Sequence, residues 1–310
     1  MDKTRNPRII GALAVAASAT LWGVDGILLT PQLYNLNTSF VVFVIHLFPF
    51  LLMNVFFFKQ YRLLGTMSRS DFFYFFMIAL FGGALGTLAI VKSLFLLHFN
   101  NLSVIVLLQK LQPIFAVILA RIILKEKIKG HFALWAAVAL VGGYFLTFGW
   151  ALPDFTTEGI TTVYAALLSL LAAFSFGSST VFSKKILGHY SFYSSTFFRY
   201  FFTTVIMLFV VLFTGHIGDF AQVTPRNWMF IILIGLTTGS GAIFLYYYGL
   251  RNVRASLSTF LELMYPITAV VLDRFVNKTV YSPVQWAAAF VMLFAIVMLN
   301  RQPKTSGHPA

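Results

Sequence analysis

Apolar residues in this chain gather in long runs separated by short polar stretches, and the runs have the length that a helix needs to cross a bilayer, roughly 20 residues. Ten such runs are found, at about 9–29, 38–58, 72–97, 100–120, 132–150, 160–183, 192–214, 227–250, 255–274 and 283–300. The pattern predicts an all-α integral membrane protein of ten transmembrane helices. Lys3, Arg5 and Arg8 ahead of the first run, with Ala17-Ser18-Ala19 inside it, have the look of a secretory signal. The apolar run continues to Leu29, too long for a typical signal core, so the first helix is expected to be retained.

Composition agrees with the pattern. Of 310 residues, 59% are hydrophobic and 10% charged, and the mean hydropathy is +0.85. A soluble globule carries about a quarter of its residues charged, so a lipid bilayer is the expected surrounding. The net charge of +13 does not point to nucleic acid, because the lysines and arginines come in small clusters between apolar runs and not on one solvated face. Alternating the ten spans puts sixteen of the 22 Lys and Arg residues on one side, three (Arg226, Arg274, Lys278) on the other, and three (Lys92, Lys110, Arg199) within spans. The excess of positive charge marks the cytoplasmic side, so both termini are expected there. With no cysteine, neither disulfide nor thiol chemistry is available.

The chain repeats itself. Setting Pro113 on Pro266 gives an offset of 153, and PIFAVILARIILK (113–125) then matches PITAVVLDRFVNK (266–278) at seven of thirteen positions. The same offset sets Ser103 on Ser256, His46 on Arg199, and Gly82-xxx-Gly86 on Gly235-xxx-Gly239; in the first helix it slips by one, setting Trp22-Gly23 on Phe176-Gly177. Residues 1–150 and 151–300 are therefore expected to be two five-helix repeats, followed by a cytoplasmic tail at 301–310. Five is odd, so the second repeat enters the membrane inverted. Inverted repeats are a recurrent design of secondary transporters, with the substrate site near the midplane between the halves.

Polar residues inside the spans are the candidate chemistry. Proline within a helix removes an amide and loosens the carbonyl four residues back, which is that of Gln109 for Pro113 and of Glu262 for Pro266. Both prolines are expected to act as helix hinges. Gln109 with Gln112, and Glu262 with Tyr265, are three apart and share a face. An acid or lysine near a helix centre costs about 2.5–3.5 kcal/mol on insertion scales, so Glu262 is read as functional, while Lys110 either serves the pathway or neutralises Glu262 in a structural pair. Asp25 and Trp22, also three apart, are placed to take a substrate ammonium and offer a stacking or cation-π surface; the alternative is an interfacial tryptophan beside a solvated acid. His46 and His98 are candidate proton carriers or locally satisfied histidines. Arg199 reads as an anchor to carbonyls or lipid phosphate, and Ser175, Ser179 and Ser183 as small residues for close packing. The glycine pairs of the third and eighth helices are expected to allow close backbone approach and mark these helices as a candidate central pair.

Two five-helix halves, Trp22-Gly23 in the first helix, Arg199 in the second helix of a half, glycine-rich third and eighth helices, and Pro113 followed by the Lys125-Glu126-Lys127 turn resemble the EamA-type drug/metabolite transporter superfamily. Within it the chain is most similar to YddG-type bacterial exporters of aromatic and other amino acids. His46, where the family often has Arg, and Thr279, where a glutamate matching Glu126 is often found, depart from the pattern. The resemblance implies a secondary transporter of a bacterial inner membrane that exports amino acids or similar amphipathic metabolites by alternating access. It implies no cofactor or metal, and a single chain able to function as a monomer. Substrate contacts are expected from Trp22, Asp25, Gln109, Gln112, Glu262 and Tyr265. The alternative within the superfamily is an exporter of organic cations, drugs or other metabolites. A membrane enzyme is more distant, because no catalytic or metal-binding motif is present.

Overall fold

The computed structural model describes residues 7–97, 108–128, 130–152, 159–276, 278 and 280–300. His98, Ser103 and Thr279 lie outside the described residues. The described residues form an all-helical protein of ten spans in two repeats. Seven are long: α1 (Pro7–Leu33), α2 (Thr38–Gly65), α3 (Arg69–Leu96), α6 (described from Gly159, apolar over Val163–Ile186), α7 (Phe192–Phe213), α8 (Pro225–Asn252) and α9 (Ala255–Val276). Three are shorter: α4 (Gln112–Ile123), α5 (Gly130–Phe148) and α10 (Pro283–Asn300). The outward faces are apolar, with Phe56, Phe209, Phe213 and Phe275 exposed. In a membrane protein these are the side chains that meet lipid.

The halves pack by a twofold rule. α1 lies against α8 and α9, and the counterpart α6 lies against α3 and α4; α2 pairs with α7 and α5 with α10. Each of these last pairs runs antiparallel. Ser194 at the start of α7 donates to Gln60 at the end of α2 (2.7 Å), while Asn37 ahead of α2 meets His216 beyond α7 (3.0 Å). Gln285 at the start of α10 donates to the Leu146 carbonyl near the end of α5 (3.3 Å). A helix and its counterpart that run in opposite directions are what an inverted repeat requires. The repeat extends to backbone detail, since Lys125 (φ 54°) and Lys278 (φ 58°), 153 apart, are the two non-glycine residues with positive φ among those described.

Small residues set the closest contacts. Gly23 meets the Tyr265 carbonyl and Thr268, and its counterpart Gly177 meets the Gln112 carbonyl and Phe115, the residues 153 positions earlier, so the same pair of contacts is built twice. The glycine pairs do allow close approach, but α3 and α8 each press on other neighbours. Gly82 abuts Ser179 and Arg199, Gly83 abuts Thr203, and Gly235 abuts Phe48 and Pro49. Around these glycines both helices widen into π turns, Ala79–Leu85 and Gly235–Gly239, and a third π turn, Asp25–Leu29, interrupts α1. Such turns shift backbone groups out of the regular ladder and occur often at functional sites.

The prolines act differently from the expectation of mid-helix hinges. The chain is already broken before each one, at Lys110–Leu111 and at Glu262–Leu263. Pro113 then occupies the first turn of α4, where a missing amide has no cost, and Pro266 follows two residues after the resumed start of α9 at Met264. The Glu262 carbonyl is not left without a donor, because Tyr265 N bonds to it at 2.9 Å. Beyond α4, Glu126 accepts from Ala255 N (2.9 Å) and Ser256 N (3.3 Å), capping the start of α9 and tying the halves together.

Candidate functional site

Where the broken helices and π turns converge they enclose a cavity of about 250 Å³, walled by residues from eight helices. Among the described residues none of α5 or α10 lines it, and these two helices pack on each other. Trp22, Asp25, His46, Gln109, Lys110, Gln112, Pro113, Glu262, Tyr265 and Pro266 all line this one space. His98 lies outside the described residues and is not placed.

Glu262 is the best-connected group. Its Oε2 accepts from Gln112 Nε2 at 2.7 Å, and its Oε1 accepts from Tyr246 OH at 2.8 Å and Ser258 Oγ at 3.4 Å. Gln112 and Glu262 thus join the two halves directly. Tyr246 also exchanges a hydrogen bond with Thr180 (2.8 Å) and tilts against Trp22, ring centroids 5.4 Å apart. Three donors thus satisfy this carboxyl without an ion pair.

The considered pairing of Lys110 with Glu262 does not form among the described residues. The Lys110 ammonium turns away and donates to the Gly143 carbonyl of α5 at 3.0 Å, as its angular offset of about 100° from Gln109 on a helix favours. His46 donates through Nδ1 to Val42 O within its own helix (2.8 Å), and its ring packs against Tyr200 at 5.4 Å. One ring nitrogen is thereby committed to the backbone, which leaves Nε2 for any other partner.

Arg199 combines the expected anchoring with a place in the cavity wall. Its guanidinium donates to the Gly82 carbonyl (2.9 Å), inside the π turn of α3, and to Tyr247 OH (3.2 Å), while Nε has no partner. Among the described residues no carboxylate pairs with it. Of the three consecutive tyrosines at 246–248, Tyr246 lines the cavity, Tyr247 is buried on Ser183 and Arg199, and Tyr248 is exposed. Asp25 Oδ2 accepts from Thr30 Oγ1 (3.1 Å), and the Thr238 hydroxyl lies within reach of the same carboxyl.

Sequence reasoning missed Thr180, Ser258 and Thr238. Threonines and serines in spans commonly bond their own helix, as Thr237 does to Leu233 O (2.6 Å), so nothing along the chain separates the ones that turn inward. Among the described residues no group of three His, Cys, Asp or Glu side chains is arranged to hold a metal.

Comparison with known proteins adds three findings. The chain matches the EamA-like transporter family twice, over residues 9–148 and 163–301. It is 51% identical over 294 residues to a protein of Fusobacterium nucleatum named riboflavin transporter ImpX, across 94% of this chain and 98% of that one. A solved crystal structure superposes with a TM-score of 0.68 over 94% of this chain and 98% of the other, at 14% identity, a likeness of fold alone.

Proposed function

Because the chain belongs to the EamA-like transporter family, and is thus a multi-pass membrane protein that carries a small molecule and not an enzyme, we propose that its substrate is riboflavin or a closely related flavin, moved through the central cavity by alternating access. The observation that carries the proposal is the 51% identity, spread over nearly the whole of both chains, to a protein named for riboflavin transport. The chemistry of the cavity supports it. A flavin is a flat, uncharged ring system with hydrogen-bonding edges and a hydroxylated side chain. Trp22, Phe176, Tyr200 and Tyr265 supply aromatic surface for such a ring, and Gln109, Gln112, Thr259 and Arg199 supply donors and acceptors for its edges. The expected amino-acid substrate fits less well. A zwitterion leaving water needs a partner for each charge, and of the two acids that line the cavity Glu262 is already held by Gln112, Tyr246 and Ser258, which leaves Asp25 alone for an ammonium.

The test is purified protein in liposomes. Labelled riboflavin is expected to equilibrate across the membrane faster than in empty liposomes and to saturate, with unlabelled riboflavin competing and phenylalanine, a nucleotide sugar and an organic cation not competing. Trp22→Ala is expected to raise the half-saturation concentration at least tenfold. Faster flux of phenylalanine than of riboflavin restores the amino-acid reading, and flux of neither refers the substrate back to the wider family.

A further inference from the structure

Six of the helices that wall the cavity pack as two groups, α6 with α3 and α4, and α1 with α8 and α9. At one end of the molecule a seam of hydrogen bonds crosses from the first group to the second. Thr180 and Ser183 of α6 exchange hydrogen bonds with Tyr246 OH and Tyr247 OH of α8, at 2.8 Å and 2.7 Å. Lys184, next along α6, donates to the Leu250 and Arg251 carbonyls at the end of α8, both at 2.9 Å. Glu126, in the turn after α4, accepts from Ala255 N (2.9 Å) and Ser256 N (3.3 Å) at the start of α9. The connection between α8 and α9 is thus gripped on both sides. A cation holds the last carbonyls of one helix and an anion the first amides of the next, the sign that each helix end favours. The cavity stops one turn short of this grip, at Thr180, Tyr246 and Thr259, each four residues from Lys184, Leu250 or Ala255.

The other end is built from the same repeat and lacks the residues of the seam. The stretches equivalent to 180–184 and 246–251 are 26–30 and 93–98, which contain neither lysine nor tyrosine, and Thr279 stands in the place of Glu126. Thr30 turns its hydroxyl to Asp25 of its own helix (3.1 Å), and Ser93 turns its hydroxyl to the Ala165 carbonyl of α6 (2.8 Å). Beyond α1, the Tyr34 ring meets Phe95 of α3 edge to face, centroids 5.2 Å apart. The cavity runs up between these two helices to Thr30 and Leu94, within a turn of their ends at Leu33 and Leu96.

We propose that the seam is a gate of the transport cycle, latched by Glu126 and Lys184, and that the resting protein is shut at this end and open at the other. The gate presupposes alternating access and is independent of which substrate is carried. Alternating access opens each end in turn, so the seam parts once in every cycle. Its neutral hydroxyl pairs exchange their partners for water when they part and hold little, whereas bonds to the two ionised groups hold more. The opposite end closes without an equivalent latch. Loss of either ionised group therefore shifts the population towards the state open at the seam. Lys125, Lys127, Lys185, Arg251 and Arg254 crowd around the seam, so by the charge rule this is the gate expected to face the cytoplasm.

Single cysteines in this cysteine-free chain read the gate without substrate, so a failed flavin assay leaves the result standing. Gln109→Cys, half-buried in the cavity wall, is labelled with a charged maleimide in sealed vesicles of each orientation. Lys185→Cys, exposed beside the latch, reports which orientation presents the seam. With the latch intact, Gln109→Cys is expected to react from the side opposite the seam and hardly at all from the seam side. Glu126→Ala and Lys184→Met are each expected to raise the seam-side rate about tenfold, while Ala139→Cys, buried in α5, stays unreactive in the same backgrounds. Equal rates at Gln109→Cys from the two sides with the latch intact, or no reaction from either, overturn the resting state. A seam-side rate that neither latch variant raises overturns the gate. So does a rise at Ala139→Cys alongside Gln109→Cys, which marks a loosened fold. Should Glu126→Ala fail to fold, Lys184→Met decides by the same readings.

Discussion

At the scale of single residues the cavity is organised by which polar groups are already satisfied. Glu262 accepts from Gln112, Tyr246 and Ser258, so its carboxyl oxygens are satisfied by donors. Replacing it with glutamine turns one acceptor oxygen into an amide donor that faces Tyr246 or Gln112, at a cost of about 1–3 kcal/mol. Glu262→Gln is therefore expected to lower the melting midpoint and slow substrate flux. Tyr246→Phe added to it is expected to lower the midpoint less than Tyr246→Phe alone, because the acceptor is already spoiled. Additive effects in the double-mutant cycle would show that the two side chains do not act together. Glu262, Gln112, Asp25 and Lys110 were legible in the sequence because a charge or amide in an apolar run has no cheap local partner. Which of them meet was not legible. Lys110 and Glu262 both sit at breaks, yet Lys110 finds the Gly143 carbonyl across on α5, a contact fixed by how α5 packs and not by anything adjacent in the chain. Thr180 and Thr238 carried no signal at all, since hydroxyls in spans are commonplace.

At the scale of elements, the glycine pattern showed that backbones come close, and the structure supplies the partners. Gly23 and Gly177 occupy equivalent places on α1 and α6, each against the restarted half of a broken helix. Their tolerances differ. A Cβ at Gly23 meets Thr268 Cβ at 2.7 Å and the Tyr265 carbonyl at 2.9 Å, whereas at Gly177 the nearest atoms are at 3.0 Å and 3.1 Å. Overpacking of this kind costs about 1–3 kcal/mol, so Gly23→Ala is expected to lower the melting midpoint more than Gly177→Ala. Gly65→Ala, with nothing within 4 Å, serves as the neutral control. A midpoint for Gly23→Ala equal to that of Gly65→Ala sinks the account of α1 seated on α9. The helix breaks were visible as Pro113 and Pro266, but their position was not. Proline tolerates the first turn of a helix better than its middle, and the fold uses that tolerance by placing the unwinding just ahead of each ring. The π turns left no trace beyond glycine, because a π turn has no residue signature of its own.

At the scale of the whole molecule, the offset of 153 was enough to give two repeats, and an odd number of helices in each was enough to invert one of them. The antiparallel pairs α2 with α7 and α5 with α10 have the geometry this demands. Inversion also accounts for the basic residues that break the charge rule. Arg274 and Lys278 stand where the first repeat has Arg121 and Lys125, and Lys278 repeats the left-handed turn of Lys125, φ 58° against 54°. They belong to a turn copied with the repeat, and their presence on the sparsely basic side does not outweigh sixteen residues on the other. Since Lys and Arg near the span ends fix orientation, we expect both termini in the cytoplasm and the 153–159 connection outside. Fusions of a reporter active only in the cytoplasm, placed at Gly159 and at Ala310, are expected to be inactive and active respectively. Activity at both positions requires an even number of crossings between them and sinks the inverted repeat; activity at Gly159 alone keeps the repeat but reverses the orientation, and with it the assignment of Arg274 and Lys278 as the exceptions.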